Sequence, residues 1–197
     1  MIRYDQIDGA VLAGGKSSRM GSDKALLEFR GKPFIQRAVE SMQEVFERVA
    51  VISPYRREYD FLDVPIVPDL VSDCGPLGGI FTALESAKSD RVFVAPCDFP
   101  MLSAELIRRI LVRAGGRSAV ASIGGRTQPL IGQFKKKDLL VLKDLLARGM
   151  YRVHIFAETI QAEIIDVSPL FPPWKLNPLA NVNTPQDYSL LQQTYSG

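Results

Sequence analysis

The sequence feature that most constrains the fold is the alternation of short apolar runs with amphipathic segments. Four runs rich in Val, Ile, Ala and Phe indicate strands buried on both faces: GAVLAG (9–14), RVAVIS (48–53), RVFVAP (91–96) and SAVASI (118–123). Strands that alternate with helices form a mostly parallel twisted sheet with helices on both faces. The sequence therefore predicts an α/β, Rossmann-like fold, whose ligands bind beyond the carboxyl ends of the strands.

Five helices are predicted around this sheet. They cover residues 33–46, 76–87, 103–114 and 136–149, and a last one begins at Thr184-Pro185-Gln186-Asp187. The first carries apolar residues at the 3.6-residue period of a helix packed on one side. Ser103 is the predicted N-cap of the third helix, and Gly149 is the predicted stop of the fourth.

Composition limits the classes of function. Of 197 residues, 46% are hydrophobic and 23% are charged, which is typical of globular proteins, and a net charge of +2 is too small to indicate a nucleic-acid partner. No run of about 18 apolar residues predicts a membrane span. The N-terminal MIRYDQID has two acids and no apolar core, unlike a signal peptide. Without repeats or linkers, we expect one domain over residues 1–197, located in the cytoplasm.

The cysteines and the histidine do not predict a metal site. Cys74 and Cys97 are 23 residues apart and lack metal-ligand spacing, so we expect reduced thiols rather than a disulfide. His154 is the only histidine, and one imidazole cannot build a His-rich site. We expect a structural rather than a catalytic position for it.

The segment VLAGGKSSRMGSDK (11–24) is a glycine-rich loop that follows the first strand. Two common phosphate-binding patterns do not match it. The dinucleotide fingerprint G-x-G-x-x-G fails because Gly14 and Gly15 are adjacent, and the P-loop pattern fails because Ala10 stands where a glycine is needed. Adjacent glycines nevertheless let backbone N–H groups approach an anion, and Arg19 and Lys24 could neutralise phosphate charge. A solvated basic turn is an equally good interpretation of this loop alone.

Four sequence blocks together resemble the nucleotidyltransferases that activate sugars and cofactors, and most of all the molybdenum cofactor guanylyltransferases. In chain order they are LAGGKSSRMGSDKALL (12–27), PDLVSDCGPLGGI (68–80), VAPCDFPML (94–102) and NVNTPQD (181–187). The resemblance implies a nucleotide-diphospho-sugar transferase type of fold. It also implies a Mg²⁺-dependent enzyme that transfers GMP from GTP to the terminal phosphate of molybdopterin, with release of pyrophosphate.

The main obstacle to that reaction is electrostatic repulsion between its two negatively charged substrates. A phosphate nucleophile has a second pKa of about 6 and is largely dianionic at neutral pH, so it needs no general base. It must approach a triphosphate that is itself strongly negative. We therefore expect catalysis by positioning and by cations rather than by a histidine.

The resemblance implies roles for residues on the nucleotide side. Leu12, Ala13 and Gly14 would form the strand end that meets base and ribose, and Gly15 would begin the phosphate turn. Asp69 matches the family's nucleotide-contacting aspartate. On sequence alone, a plain turn acid after Pro68 stays open as an alternative for Asp69.

The resemblance also implies the catalytic residues. Lys24 would bind the triphosphate, with Arg19 as a second candidate. Asp98 follows a buried strand and would be the Mg²⁺ ligand, since Mg²⁺ takes one or two carboxylates and completes its shell with substrate oxygens and water. The sequence alone leaves open an N-cap or turn acid at Asp98.

On the pterin side, the resemblance implies Gly75, Gly79, Arg152, Asn181 and Asn183. The two asparagines are two residues apart, so an extended segment places both amides on one face. The alternatives are a simple helix start at Gly75 and an asparagine-rich turn before a capped helix.

The sequence leaves open which nucleotide base the protein uses and whether it is an enzyme or a carrier. Ser53 stands where the family often has an asparagine that contacts the nucleotide, and LAGG rather than LAAG at 12–15 favours guanine over cytosine. The nearest alternative is a nucleotidyltransferase using CTP or a sugar phosphate. Another is a non-catalytic carrier of nucleotide or cofactor. We expect the protein to make transient contact with molybdoenzymes or other cofactor-synthesis proteins. We expect no contact with nucleic acid or with a membrane.

Overall fold

The computed structural model describes residues 3–14, 23–54, 57–170 and 177–195. Within them lie nine strands: β1 Asp8–Leu12, β2 Glu28–Phe29, β3 Lys32–Pro33, β4 Val49–Ile52, β5 Ile66–Val67, β6 Arg91–Pro96, β7 Ala119–Ile123, β8 Arg126–Lys135 and β9 Glu163–Asp166. The six α-helices in these ranges are α1 Phe34–Gln43, α2 Gly75–Ser86, α3 Ala104–Ala114, α4 Leu139–Ala147, α5 Val153–Thr159 and α6 Pro185–Tyr195.

Seven strands form one sheet in the order β5-β4-β1-β6-β8-β7-β9. Its pairs are parallel except where β8 pairs with β6 and β7, so the predicted mostly parallel α/β sheet is confirmed. From β1 the chain moves outward through β4 to β5, then crosses to β6 on the other side of β1. The β1–β6 pair is therefore a topological switch point, and the carboxyl ends of these strands meet where Leu12 pairs with Pro96. We call this side of the sheet the carboxyl edge.

Helices cover both faces of the sheet. Val11 belongs to the apolar cluster under α1 and α3, whereas Ala10 and Leu12 belong to the cluster under α2, α4 and α5. This alternation follows from the two-residue period of side chains along a strand. It explains why the predicted strands read as continuous apolar runs.

The predicted helix signals are used in the fold. The Ser103 hydroxyl accepts a hydrogen bond from the Leu106 amide at 3.3 Å, which caps α3. Thr184 accepts from the amide of Asp187 at 3.1 Å, and the Asp187 carboxylate accepts from the Thr184 amide at 2.9 Å. This reciprocal pair fixes the start of α6, as the sequence predicts.

The C-terminal helix packs on the β2–β3 hairpin rather than on the main sheet. A separate apolar cluster joins Phe29 and Phe34 to Val182 and Leu191. The Tyr188 hydroxyl also donates to the Glu28 carbonyl at 2.8 Å. Because the hairpin follows the first sequence block (12–27) and α6 begins within the fourth (181–187), this packing brings these two blocks, from opposite ends of the chain, to the same edge.

The structure shows the state of the two cysteines, the position of the histidine and the lengths of the helices. Cys74 and Cys97 are both free, and burial raises the pKa of the Cys97 thiol. His154 lies in α5 with an exposed side chain. Within the described part of the chain, the helices are all too short or too polar to cross a bilayer.

Asp8 anchors the amino end of β1. Its carboxylate accepts hydrogen bonds from the Ser89 hydroxyl at 2.8 Å, the Lys88 amide at 2.7 Å and Arg48 Nε at 2.8 Å. Partial burial alone would raise the pKa of Asp8, but the bonds from Ser89, Lys88 and Arg48 together hold it below its ordinary value of 3.8. The ionised carboxylate therefore stabilises the fold.

We expect Asp8→Asn to lower the free energy of unfolding at pH 7 by about 1–3 kcal/mol, because buried donors lose a charged acceptor. A depressed folded pKa gives stability that is present above the unfolded pKa and lost as pH falls through the folded value. The gap between wild type and variant should accordingly close below about pH 4. Urea unfolding across this pH range measures it, and a gap that stays constant would contradict the assignment.

Candidate active site

Lys24 reaches across the carboxyl edge to two oxygen acceptors. It begins a short 3-10 turn, Lys24–Leu26, which is capped by Asp23 through a 3.1 Å bond from the Ala25 amide to Asp23 Oδ1. Lys24 Nζ donates to Asp98 Oδ2 at 2.7 Å and to Asn183 Oδ1 at 2.8 Å. Lys24 and Asp98 therefore lie close together, as a shared site at the carboxyl edge requires.

Asp98 lies two residues beyond the end of β6. The Cys97 amide donates to the Leu12 carbonyl at 3.0 Å, which extends the β1–β6 pairing to the residue before Asp98. One carboxylate oxygen pairs with Lys24, but Oδ1 is buried and accepts no hydrogen bond from the described residues. A buried carboxylate oxygen without a partner indicates a missing donor or cation.

Asn183 comes to the site with the C-terminal segment. The Val182 amide donates to the Asp98 carbonyl at 3.0 Å, and the Asn183 amide donates to Asp187 Oδ2 at 2.9 Å. Val182 is buried, while Asn181 and Asn183 are exposed on either side of it. The two amides therefore share one exposed face, as their spacing predicts, although only Asn183 bonds to Lys24.

The strand end on the nucleotide side is fixed from within the fold. Leu12 and Ala13 are buried and Gly14 is exposed. The Ala13 amide donates to the Ile52 carbonyl at 3.0 Å, and the fully buried Ser53 hydroxyl donates to the Ala13 carbonyl at 2.9 Å. Ser53 thus uses its hydroxyl to hold Ala13, so its side chain acts on the strand end rather than pointing into solvent.

Asp69 faces the backbone at Gly14. A Cβ placed on Gly14 would lie 3.6 Å from Asp69 Oδ2, which is an ordinary contact distance, so this carboxylate lies beside the strand end. Partial burial raises the pKa of Asp69. A ligand at this place meets bare backbone at Gly14 and a carboxylate at Asp69.

The two glycines predicted for the pterin side differ in their surroundings. Gly75 is exposed at the start of α2 with φ +56°, a conformation that favours glycine. Gly79 is buried, and a Cβ there would lie 3.2 Å from Leu12 Cδ2. Packing of α2 on β1 is enough to require a small residue at Gly79, and a ligand role for it stays a prediction.

Arg152 is exposed at the N-terminus of α5. Because β8 runs antiparallel to its neighbours, α4 leads back towards the carboxyl edge and the loop before α5 lies on that side. Among the described residues, no hydrogen bond or ion pair joins Arg152 to Lys24, Asp98 or Asn183. Its contact with a second substrate stays a prediction.

Two predicted residues, Gly15 and Arg19, lie outside the described residues. Two other residues, Tyr59 and Asp23, were not predicted. The Tyr59 hydroxyl donates to Asp23 Oδ2 at 2.7 Å, next to Lys24. An aspartate before a short turn is a capping signal that the sequence offered, whereas nothing in the pattern around Tyr59 points to this contact.

The arrangement has a definite electrostatic character. The Lys24 and Asp98 side chains are 17% and 20% exposed, so their 2.7 Å ion pair is largely shielded from water. Within the described ranges, no group of three or more His, Cys, Asp or Glu side chains could enclose a metal ion. The oxygens around Lys24 are those of the Asp98 carboxylate and the Asn183 amide, a donor chemistry that suits a hard cation which shares its shell with a ligand and water.

Comparison with known proteins agrees with this geometry. The family model for the MobA-like NTP transferase domain matches residues 9–160. A molybdenum cofactor guanylyltransferase from Vibrio atlanticus is 33% identical over 193 residues, which cover 95% of this chain and 96% of that protein. One from Yersinia pestis is 30% identical over 197 residues, which cover 97% of each chain.

A solved structure shares the fold. The crystal structure of molybdopterin-guanine dinucleotide biosynthesis protein A from Archaeoglobus fulgidus superposes with a TM-score of 0.80. The match covers 96% of this chain and 98% of that chain at 20% identity. At that identity the likeness concerns the fold alone.

Proposed function

The chain belongs to the family of MobA-like NTP transferase domains, and we propose that it is a molybdenum cofactor guanylyltransferase. It would transfer GMP from GTP to the terminal phosphate of molybdopterin and release pyrophosphate. The observation that carries the proposal is the cluster of Lys24, Asp98 and Asn183 at the β1–β6 switch point. Parallel sheets bind nucleotides at this place, and the relatives that cover nearly the whole chain bear this name.

The reaction exchanges one phosphoanhydride for another. An oxygen of the molybdopterin phosphate forms a bond to the α-phosphorus of GTP, and the bond from that phosphorus to the β-phosphate oxygen breaks. The electron pair leaves with pyrophosphate, and no proton has to be removed from the dianionic nucleophile. The protein must bring the molybdopterin phosphate and the triphosphate together and stabilise the charge on the transferred phosphoryl group.

Lys24 supplies fixed positive charge for this task. Its ammonium already lies between two oxygens, at 2.7 Å from Asp98 and 2.8 Å from Asn183, so it is held at the edge where a triphosphate would bind. In the proposal, Lys24 exchanges one of these oxygens for a phosphate oxygen. The turn that carries it is capped before the ligand arrives, which reduces the entropy lost on binding.

Asp98 is the proposed ligand for Mg²⁺. Its buried Oδ1 accepts no hydrogen bond from the described residues, and a single carboxylate suits a magnesium ion that takes its other ligands from phosphate and water. When bound, the ion would neutralise phosphate charge and polarise the P–O bond. Asp98 would hold it beside Lys24, and Asn183 would orient the ammonium between them.

Guanine preference is part of the same proposal. The base would lie against the exposed backbone at Gly14 and near Asp69, and a methyl group at Gly14 would project into that space, 3.6 Å from Asp69 Oδ2. Ser53 holds the Ala13 carbonyl, so backbone groups at 12–14 rather than a Ser53 side chain would meet the nucleotide. Product transfer to molybdoenzymes would follow the reaction.

A nucleotide panel tests the proposal. Purified protein is given molybdopterin and Mg²⁺ with GTP, CTP, ATP or UTP, and pyrophosphate release is measured. We expect kcat/KM for GTP to exceed the others by at least about tenfold, a difference of about 1.4 kcal/mol, and chelation of the metal to stop release.

Two outcomes would contradict it. Equal or faster turnover with CTP would identify a cytidylyltransferase on the same fold. Tight GTP binding with no pyrophosphate release, under conditions where a curated relative turns over, would identify a carrier.

A further inference from the structure

The connection between β4 and β5 contacts the end of β1 at Ala13 and the residue before the Lys24 turn, Asp23. At one side, the Ser53 hydroxyl donates to the carbonyl of Ala13 at 2.9 Å. At the other, the Tyr59 hydroxyl donates to Asp23 Oδ2 at 2.7 Å. Residues 13 and 23 are therefore both fastened to one short stretch, residues 53–59.

Both donors are buried, which makes these contacts specific. Ser53 and Tyr59 are each 0% exposed. A buried hydroxyl without a partner costs about 1–3 kcal/mol, so each has a strong preference for its oxygen acceptor. The Tyr59 bond is also made to a carboxylate, and hydrogen bonds to ionised acceptors are shorter and stronger than neutral ones.

The two carboxylate oxygens of Asp23 accept hydrogen bonds from different groups. Oδ2 accepts from Tyr59, while Oδ1 accepts from the Ala25 amide at 3.1 Å and closes the turn that starts at Lys24. The Asp23 carbonyl also accepts from the Leu26 amide at 3.0 Å. Tyr59 thus holds Asp23 in place, and Asp23 in turn holds the backbone of the turn that begins at Lys24.

We propose that Ser53 and Tyr59 form a clamp that fixes Ala13 and Asp23 and thereby positions Lys24 for phosphate binding. The two are positioning residues, since neither hydroxyl is free to touch a substrate while it makes its bond. This inference rests on the role of Lys24 in the proposed function. It accounts for a serine at position 53, because a small hydroxyl fits the fully buried site beside Ala13.

The physical benefit is a lower ordering cost. A backbone that is not fixed must lose conformational entropy when phosphate binds, and each ordered residue costs about 1–2 kcal/mol of backbone entropy. The hydrogen bonds to Ala13 and Asp23 fix these two residues before binding and so reduce this cost. They also keep the flexible stem of Lys24 attached to a rigid base.

Single and combined variants test the clamp. We expect Tyr59→Phe and Ser53→Ala each to lower kcat/KM for GTP about tenfold or more, as small displacements of a catalytic group do. Ser41→Ala is the control, since Ser41 lies in α1 and its hydroxyl donates to the Leu102 carbonyl at 3.1 Å rather than to Ala13 or Asp23. It should lose stability to a comparable extent and keep wild-type kinetics.

A double-mutant cycle separates positioning from mere stability. In a Lys24→Ala background, Tyr59→Phe should change residual turnover and GTP binding less than about twofold, because the group it positions is gone. If Tyr59→Phe does not fold, Asp23→Asn replaces it: this change keeps a capping oxygen, and it should impair kcat/KM less than Asp23→Ala does.

The outcomes distinguish the clamp from the proposed function. If Lys24→Ala is itself fully active, the proposed role of Lys24 fails. If Lys24→Ala is impaired but Tyr59→Phe and Ser53→Ala match Ser41→Ala, the clamp alone is wrong. An equal loss from Tyr59→Phe in both backgrounds would also overturn it.

Discussion

Asp98→Ala should lower kcat for pyrophosphate release by at least about a thousandfold, or about 4 kcal/mol, in a chain that remains folded. Two losses combine in this variant. The carboxylate oxygen that pairs with Lys24 at 2.7 Å disappears, and so does the buried Oδ1 proposed to bind Mg²⁺. Charge neutralisation by a bound metal supplies several kcal/mol of transition-state stabilisation, so its loss dominates.

Asp98→Asn is the matched variant for this experiment. It keeps the shape of the side chain and an oxygen for Lys24 but removes the negative charge. If the charge holds a metal ion, Asn should fail to restore turnover even though it restores the bond to Lys24. Urea unfolding checks that both variants fold, and Mg²⁺ titration of GTP binding reports the metal directly.

Normal turnover by Asp98→Ala would remove the carboxylate from the mechanism. Full rescue by Asn would show that Asp98 serves only to orient Lys24. Delivery of bound cofactor to an apoenzyme without turnover, in wild type and variant alike, would favour the carrier. Each result leads to a different assignment of the same side chain.

The central strands could be predicted because burial on both faces leaves a continuous apolar run. β4 and β7 lie inside their predicted ranges, and β6 coincides with its range. β1 begins one residue before its range and ends two residues before the range does. The runs extend past the strands because Ala13 is still buried after the parallel ladder ends. Hydrophobicity marks burial, and only the backbone pairing marks the strand.

β8 could not be predicted because its sequence contains residues that normally end strands. Pro129 lies in a stretch where the register with β7 shifts between Val120 and Ala121, so its missing N–H is not needed there. Gly132 must lack a side chain, since a Cβ would lie 2.1 Å from the Ala119 carbonyl oxygen. In this strand, proline and glycine mark a bulge and a close approach rather than a turn.

The candidate site was predictable only where topology or resemblance linked distant residues. Lys24 and Asp98 are 74 positions apart, and Lys24 and Asn183 are 159 apart. The carboxyl edge of a parallel sheet gives a reason for the first pair to meet. The bond from Tyr59 to Asp23 has no such reason in the sequence, because it depends on how one irregular connection packs.

Lys24→Ala should lower kcat/KM for GTP by about a hundredfold to a thousandfold, the range seen when one donor to a developing charge is removed. The loss should appear in kcat as well as in KM, because the ammonium interacts with a triphosphate whose charge redistributes during the reaction. The free energy of unfolding should fall by about 1–3 kcal/mol, because a largely shielded carboxylate at Asp98 loses the ammonium that pairs with it. Steady-state kinetics and urea unfolding measure the two effects separately.

Lys32→Ala is the charge-matched control, because Lys32 lies in β3 of the hairpin that follows the Lys24 turn and forms an exposed pair with Glu40 at 2.8 Å. It removes the same charge from the same region and should leave kcat/KM unchanged. Lys24→Arg asks whether charge alone is sufficient. A guanidinium is a planar fork and cannot reproduce a compact ammonium held 2.7 and 2.8 Å from two oxygens, so we expect only partial recovery. Equal losses in Lys24→Ala and Lys32→Ala would mean that the general field of the protein, and not a positioned lysine, attracts the nucleotide.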